Sequence, residues 1–202
     1  MKLKNLLLFA FAVSGFTALV YEVVWTRPLQ LIFGSTIYAV STMLTTFFMG
    51  FAIGSFLFRN LADNVKNPAR LFALIQIGIG LYGLIILSLF KILPNMYLSL
   101  SGFQGLQFVQ FFLVFSVLII PTILFGATWP VIHNAYADLK VLGKNSAKLY
   151  SSNSLGAFFG SIGAGFLLIP LLGISKASVF AAILNLSLGA IILTCIGRKN
   201  GI

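Results

Sequence analysis

Six runs of about twenty or more apolar residues, parted by short polar links, leave this chain few ways to fold. They cover roughly 6–32, 36–58, 71–90, 103–129, 149–172 and 175–196. A helix of ~20 residues rises about 30 Å, the thickness of the hydrocarbon core of a bilayer. Inside that core every backbone N–H and C=O needs a partner from the chain itself, which only helices and closed barrels supply. The runs are continuous and too long for the alternating strands of a barrel, so they read as helices. Charged residues make up only 8 % of the chain, too few for the surface of a water-soluble domain. The expected fold is an all-α membrane protein, a single domain over 1–202 with six transmembrane helices.

The net charge of +10 would suit nucleic acid if it lay on one soluble face. It is spread over the links instead. Lys2, Lys4, Arg59, Lys66, Arg70, Lys140, Lys144, Lys148, Arg198 and Lys199 fall on one side of the expected bilayer, and Arg27, Lys91 and Lys176 on the other. Lys and Arg in short loops mark the cytoplasmic side. Both termini are therefore expected in the cytoplasm, with the chain in a prokaryotic inner membrane. The start, Met1-Lys2-Leu3-Lys4, could open a signal peptide, but the apolar run outlasts a usual signal core and matches the later spans. Cys195 stands alone, which excludes an internal disulfide and a cysteine metal cluster.

Polar groups inside the spans are the candidates for function. A carboxylate at mid-bilayer costs about 2.5–3.5 kcal/mol on insertion scales, so it normally faces protein or a wet cavity. Glu22 is such a group, and Ser14, Ala18, Tyr21 and Trp25 share its face at helical spacing. Either Glu22 serves a site or a proton-linked switch, or it is hydrated near the outer interface and balanced by Arg27. On helix 4, Gln104, Gln107 and Gln110 sit at matching depth, and Gln107 and Gln110 could line one pocket with Glu22. Asn153 adds an amide in helix 5. Helices 3 and 6, with Gln76 and Asn185 as their main polar interior residues, read as lipid-facing. His133 reads as a hydrated histidine at the inner end of helix 4. No metal-ligand cluster and no set of catalytic side chains is apparent, so no metal, no cofactor and no enzymatic activity are expected.

Helices 2 and 5 carry stripes of small residues four apart. Thr46, Gly50 and Gly54 mark the first, and Gly156, Gly160 and Ala164 the second. Small residues let two backbones approach, a main source of helix association in lipid. The stripes can serve packing within one subunit or a seam between two.

Two stretches resemble known proteins. Gly54-Ser55-Phe56-Leu57-Phe58-Arg59-Asn60-Leu61-Ala62-Asp63-Asn64, with Arg70 after it, resembles the cytoplasmic loop between helices 2 and 3 of the major facilitator superfamily. That resemblance implies a latch or gate made by Asp63, Arg59 and Arg70. More extensively, Tyr21-Glu22-Val23-Val24-Trp25-Thr26-Arg27, Phe33-Gly34-Ser35, Pro121-Thr122-Ile123-Leu124-Phe125-Gly126-Ala127-Thr128-Trp129-Pro130 and Leu149-Tyr150-Ser151-Ser152-Asn153-Ser154-Leu155-Gly156-Ala157 are similar to the membrane domain of integral-membrane spermidine-synthase-like proteins. The resemblance implies half of a major-facilitator-like fold, three helices plus three. No strand, glycine-rich turn and helix unit is present for the adenosyl cofactor of the soluble synthase domain, so activity is not carried over with it.

In such folds helices 1 and 4 line the cavity, and helices 2 and 5 meet their counterparts from the other half. The resemblance thus implies a half-size transporter working as a homodimer in the bilayer, with the two stripes at the seam. Its substrate would be a small, cationic, polyamine-like solute held by Glu22, Tyr21, Trp25, Arg27, Gln107, Gln110 and Asn153, with proton coupling through Glu22. The alternative is a non-transporting anchor or sensor for a separate, soluble spermidine-synthase-like subunit.

Overall fold

The computed structural model describes residues 3–99, 106–136 and 142–200. Among them all regular structure is helical. The elements are α1 (Leu3–Phe33), α2 (Thr36–Asn64), α3 (Pro68–Ser99), α4 (Leu106–Tyr136), α5 (Leu142–Ile162) and α6 (Ile169–Asn200), with a π-helical turn, Gly163–Leu168, between the last two. Five stretches are long and apolar enough to cross a membrane: Leu3–Leu31, Thr36–Asn64, Pro68–Leu93, Phe108–Tyr136 and Gly143–Arg198. Phenylalanines and leucines stand exposed on their outer faces, Phe48, Phe56, Leu81, Phe158 and Phe166 among them. Ser14, Thr17, Gln76 and Asn185 are buried instead. Apolar outside and polar inside is the arrangement that lipid rewards, and the chain reads as a multi-pass membrane protein.

The turns follow from particular residues. Gly34 (φ 61°) takes the left-handed conformation that ends α1, and Ser35 is extended before α2. Asn67 caps α3, its Oδ1 accepting the Arg70 N–H at 3.1 Å, with Pro68 at the first helical position. The polar loop expected over 59–70 therefore shrinks to 65–67, because both helices continue past the hydrocarbon where continuation keeps their backbone groups paired. Helix α4 likewise runs through Trp129 and Pro130 to Tyr136.

Two prolines lie within α4, Pro121 and Pro130. Each lacks an N–H and so frees the carbonyl four residues earlier, Val117 and Gly126. Neighbouring helices answer both. The Tyr82 hydroxyl of α3 donates to the Val117 carbonyl at 2.6 Å, and the Ser55 hydroxyl of α2 donates to that of Gly126 at 3.0 Å.

Contacts between helices give their directions. Ser152 donates to the Leu8 carbonyl, and Gly156 and Gly160 lie against the Ala12 and Phe16 carbonyls, so α5 runs parallel to α1. Thr17 meets Asn185 while Trp25 meets Ser178, so α6 runs antiparallel to α1. The path reverses where Gly173 (φ 77°, ψ 169°) leaves the helical region, inside the 56-residue apolar stretch Gly143–Arg198. Helices α2 and α4 are parallel, with Gly50 against Thr122 and Gly54 against Ile123. They oppose α1, since Phe11 stacks near Trp129 and Tyr21 near Phe125.

Most of the packing lies in three pairs, α2 with α4, α1 with α5 and α3 with α6. Gly126 of α4 answers the α2 glycines by lying against Phe51, and Gly15 of α1 answers the α5 glycines by lying against Asn153. The expected seam residues are accordingly engaged within the chain. A Cβ on Gly50, Gly54, Gly156 or Gly160 would strike a helix of the same chain, and Thr46 and Ala164 are fully buried. The stripes encode close approach, and α4 and α1 are what approach.

Helices α3 and α6 also depart from the expectation. They present lipid-facing leucines, yet Gln76 and Asn185 point inward and are fully buried. Gln76 Nε2 donates to Ser14 Oγ at 2.8 Å, Thr17 Oγ1 to Asn185 Oδ1 at 2.9 Å, and Trp25 Nε1 to Ser178 Oγ at 3.4 Å. Hydrogen bonds of this kind between membrane helices are worth about 0.6 kcal/mol on average. Here they set the rotation of α1 against α3 and α6.

Candidate functional site

That rotation decides which residues reach a cavity. With Tyr21 and Trp25 turned into the core, α1 offers Phe11, Ser14 and Ala18 to a groove it shares with α2, α4 and α5. The groove has a volume of about 250 Å³. Phe51 and Ser55 line it from α2, Phe125, Gly126, Thr128 and Trp129 from α4, and Tyr150 and Asn153 from α5. Trp129 is its aromatic centre, 5.5 Å from Phe11 and 6.3 Å from Tyr150 between ring centroids, the second pair edge to face. Ser55 and Thr128 hold their hydroxyl protons on backbone carbonyls, Gly126 and Phe125. Their oxygens can still accept. The groove thus combines aromatic faces with neutral oxygen acceptors, a surface suited to an amphipathic cation.

A second cavity of about 270 Å³ adjoins it through Trp129, which lines both. Its other walls are Arg59 and Asp63 of α2 and Pro130, His133 and Asn134 of α4. Asn134 Nδ2 donates to Asp63 Oδ1 at 2.7 Å. The Arg59 guanidinium lies over the Phe56 ring at 4.2 Å, and His133 Nε2 shares a 2.8 Å hydrogen bond with Ser146 Oγ. The structure thus brings Arg59 and Asp63 together and places Arg70 elsewhere, in a separate cavity of about 300 Å³ with Val65, Lys66 and Leu74.

Of the seven residues expected to bind substrate, Asn153 lines the groove. Tyr21 and Trp25 are fully buried against α6 and α4. Arg27 is exposed, and Gln110 is buried in α4. The side chain of Gln107 and all of Gln104 lie outside the described residues. Glu22 is half-buried, one turn beyond Ala18, and is not among the groove's lining residues. The groove occupies the end of the bundle where Lys4 faces Tyr136 and α2 turns into α3, not the Glu22 end. Ser55, Thr128, Trp129 and Tyr150 line the groove without having been among the expected binding residues. An aromatic next to a helix proline, Trp129-Pro130, was the available signal, since the proline bends the helix where a cavity can open.

A third cavity, about 450 Å³, lies between α2 and α4 at the opposite end, lined by Phe33, Tyr38, Ser41, Phe108, Phe111 and Phe112 among others. Phe108 and Phe112 are more exposed than buried, and none of the described lining residues is charged.

No family model matches the chain. No solved structure matches it either. The chain is 26 % identical over 196 residues to a polyamine aminopropyltransferase of Corynebacterium efficiens. The match takes in 95 % of this chain but 35 % of that protein, so the chain spans about a third of the relative's length. It is in keeping with a membrane part of a spermidine-synthase-like protein. It also corrects one expectation. The chain was given no enzymatic character because it lacks catalytic side chains of its own, yet the protein it is similar to is, by name, an enzyme.

Proposed function

We propose that this chain is the membrane module of an aminopropyl-transfer system and that it binds a polyamine in the groove around Trp129. The observation that carries the proposal is the match of nearly the whole chain to part of a polyamine aminopropyltransferase. The lining of the groove adds to it. Aromatic rings accept methylene chains and the faces of cations, and the oxygens of Ser14, Thr128 and Asn153 accept ammonium protons.

The module crosses the membrane six times, with Gly173 making the last reversal and both termini on the basic, cytoplasmic side. It is built as half of a major-facilitator-like fold. Exchanging α1 with α4, α2 with α5 and α3 with α6 turns the α2–α4 pair into α5–α1 and returns α3–α6 to itself. Because α1 and α4 run in opposite directions, the two three-helix units form an inverted repeat, the arrangement that builds many transporter cavities.

Saturable binding of radiolabelled spermidine to the detergent-purified chain, competed by putrescine, is the expected result. Absence of binding up to millimolar spermidine would overturn the reading. A second reading, transport by a homodimer, is favoured by one observation. The groove lies between α2 and α5, the helices that would flank a second copy. Spermidine uptake into vesicles containing only this chain would establish it, and binding without uptake would leave the module reading in place.

A further inference from the structure

We infer that the groove and the cavity beside it form one elongated site for a linear polyammonium ion, with its hydrocarbon chain across Trp129 and a terminal ammonium on Asp63. The inference rests on the polyamine reading above and deepens it. Trp129 lines both cavities, so a ligand reaching from Asn153 to Asp63 would pass beside it.

The chemistry changes along that path in the order such a ligand would need. At the Asn153 end the acceptors are neutral: Ser14, Ser55, Thr128 and Asn153. The middle is aromatic, with the Trp129 ring centroid 5.5 Å from that of Phe11 and 6.3 Å from that of Tyr150. A methylene spacer belongs there, and the ring faces also attract a cation. At the far end stands a carboxylate. Acids are scarce here, three against thirteen Lys and Arg, and Asp138 lies outside the described residues. Asp63 is thus the carboxylate that the described structure brings to these cavities.

Its state also fits an ammonium site. A carboxylate offers about four lone-pair positions, and the Asn134 amide occupies one of them. Among the described residues, the two basic groups that line the cavity have other engagements, Arg59 over Phe56 and His133 with Ser146. Asp63 is therefore oriented by a neutral donor rather than neutralised by the cation beside it. Arg59 remains near enough to repel a bound ammonium and to weaken its binding. A monoamine could take one end of the site but not both, which sets the preference for a polyamine.

The full chain in detergent carries two tryptophans. A Trp25→Phe background leaves Trp129 as the reporter. Spermidine should quench its fluorescence saturably. Asp63→Asn should raise the spermidine Kd about tenfold, Asp63→Glu should restore most of it, and Arg59→Gln should lower the Kd about threefold. If spermidine binds Asp63→Asn as tightly as the parent, the elongated site is wrong and the polyamine reading stands. If radiolabelled spermidine binds but Trp129 emission does not change, the path across Trp129 is wrong. If the parent chain binds no spermidine by either measurement, the polyamine reading itself falls. Melting curves of each variant separate lost binding from lost folding.

Discussion

The Tyr82 hydroxyl donates to the Val117 carbonyl at 2.6 Å, the backbone group that Pro121 leaves without its helical partner. Ser55 does the same for Gly126 and Pro130. In lipid no water can fill such a vacancy, and a broken helix is stable where a neighbour re-pairs it. The two hydroxyls therefore join α4 to α3 and to α2 at the places where α4 is weakest.

Tyr82→Phe should destabilise the protein by about 0.5–1.5 kcal/mol, the usual net worth of one hydrogen bond. The diagnostic is the cycle with Pro121→Ala. Alanine returns the N–H that Val117 needs, so Tyr82→Phe should cost less in that background. Unfolding in mixed detergent measures all four proteins. Equal costs in both backgrounds would mean that the hydroxyl does not serve the proline.

Gly156→Leu should damage the fold of a single chain. Its side chain would meet the Ala12 backbone, and backbone cannot swing aside as a side chain can. Overpacking of this kind costs about 1–3 kcal/mol, with larger values where nothing can relax. Gly165→Leu is the control, since a Cβ there meets nothing. The melting temperature of detergent-purified protein should drop for the first and hold for the second. A Gly156→Leu protein that melts normally but loses a dimer would put the stripe back at a subunit seam.

If the chain crosses the membrane six times with both ends in the cytoplasm, as proposed, Ser35 lies outside and Lys66 inside. In a Cys195→Ser background, Ser35→Cys should react with an impermeant maleimide in intact cells. Lys66→Cys should react only after permeabilisation. The reverse pattern would invert the orientation drawn from the basic residues.

What could be read from the sequence depended on whether a signal was local. Gly34 and Gly173 mark the turns where the apolar runs suggested them, because a left-handed backbone asks for glycine at one position. The stripe of Gly50 and Gly54 showed that something must come close, but a small residue does not name its neighbour. The rotation of α1 was equally hidden. Ser14, Thr17 and Trp25 lie within about three turns of α1, yet their partners Gln76, Asn185 and Ser178 lie on helices far along the chain. Once those bonds turn Tyr21 and Trp25 inward, the groove residues of α1 are Phe11, Ser14 and Ala18, and the proposed site moves from the Glu22 level to that of Trp129.

Glu22 gives the sharpest test of that move. It lies four residues beyond Ala18, about 6 Å further along the helix, and outside the groove's lining. If the groove holds the polyamine, Glu22→Gln should leave the spermidine Kd within about twofold of the parent. Asn153→Ala, which removes an acceptor from the lining, should raise it about two- to tenfold, the range of one hydrogen bond. Asn185→Ala is a useful third variant. It lies in the core, bonded to Thr17, and should lower stability without changing affinity in the protein that remains folded. Radiolabelled spermidine binding with melting curves on the same samples reads all three. Should Glu22→Gln abolish binding while Asn153→Ala does not, the site belongs at the outer end of α1, where the lone carboxylate of that helix first suggested it.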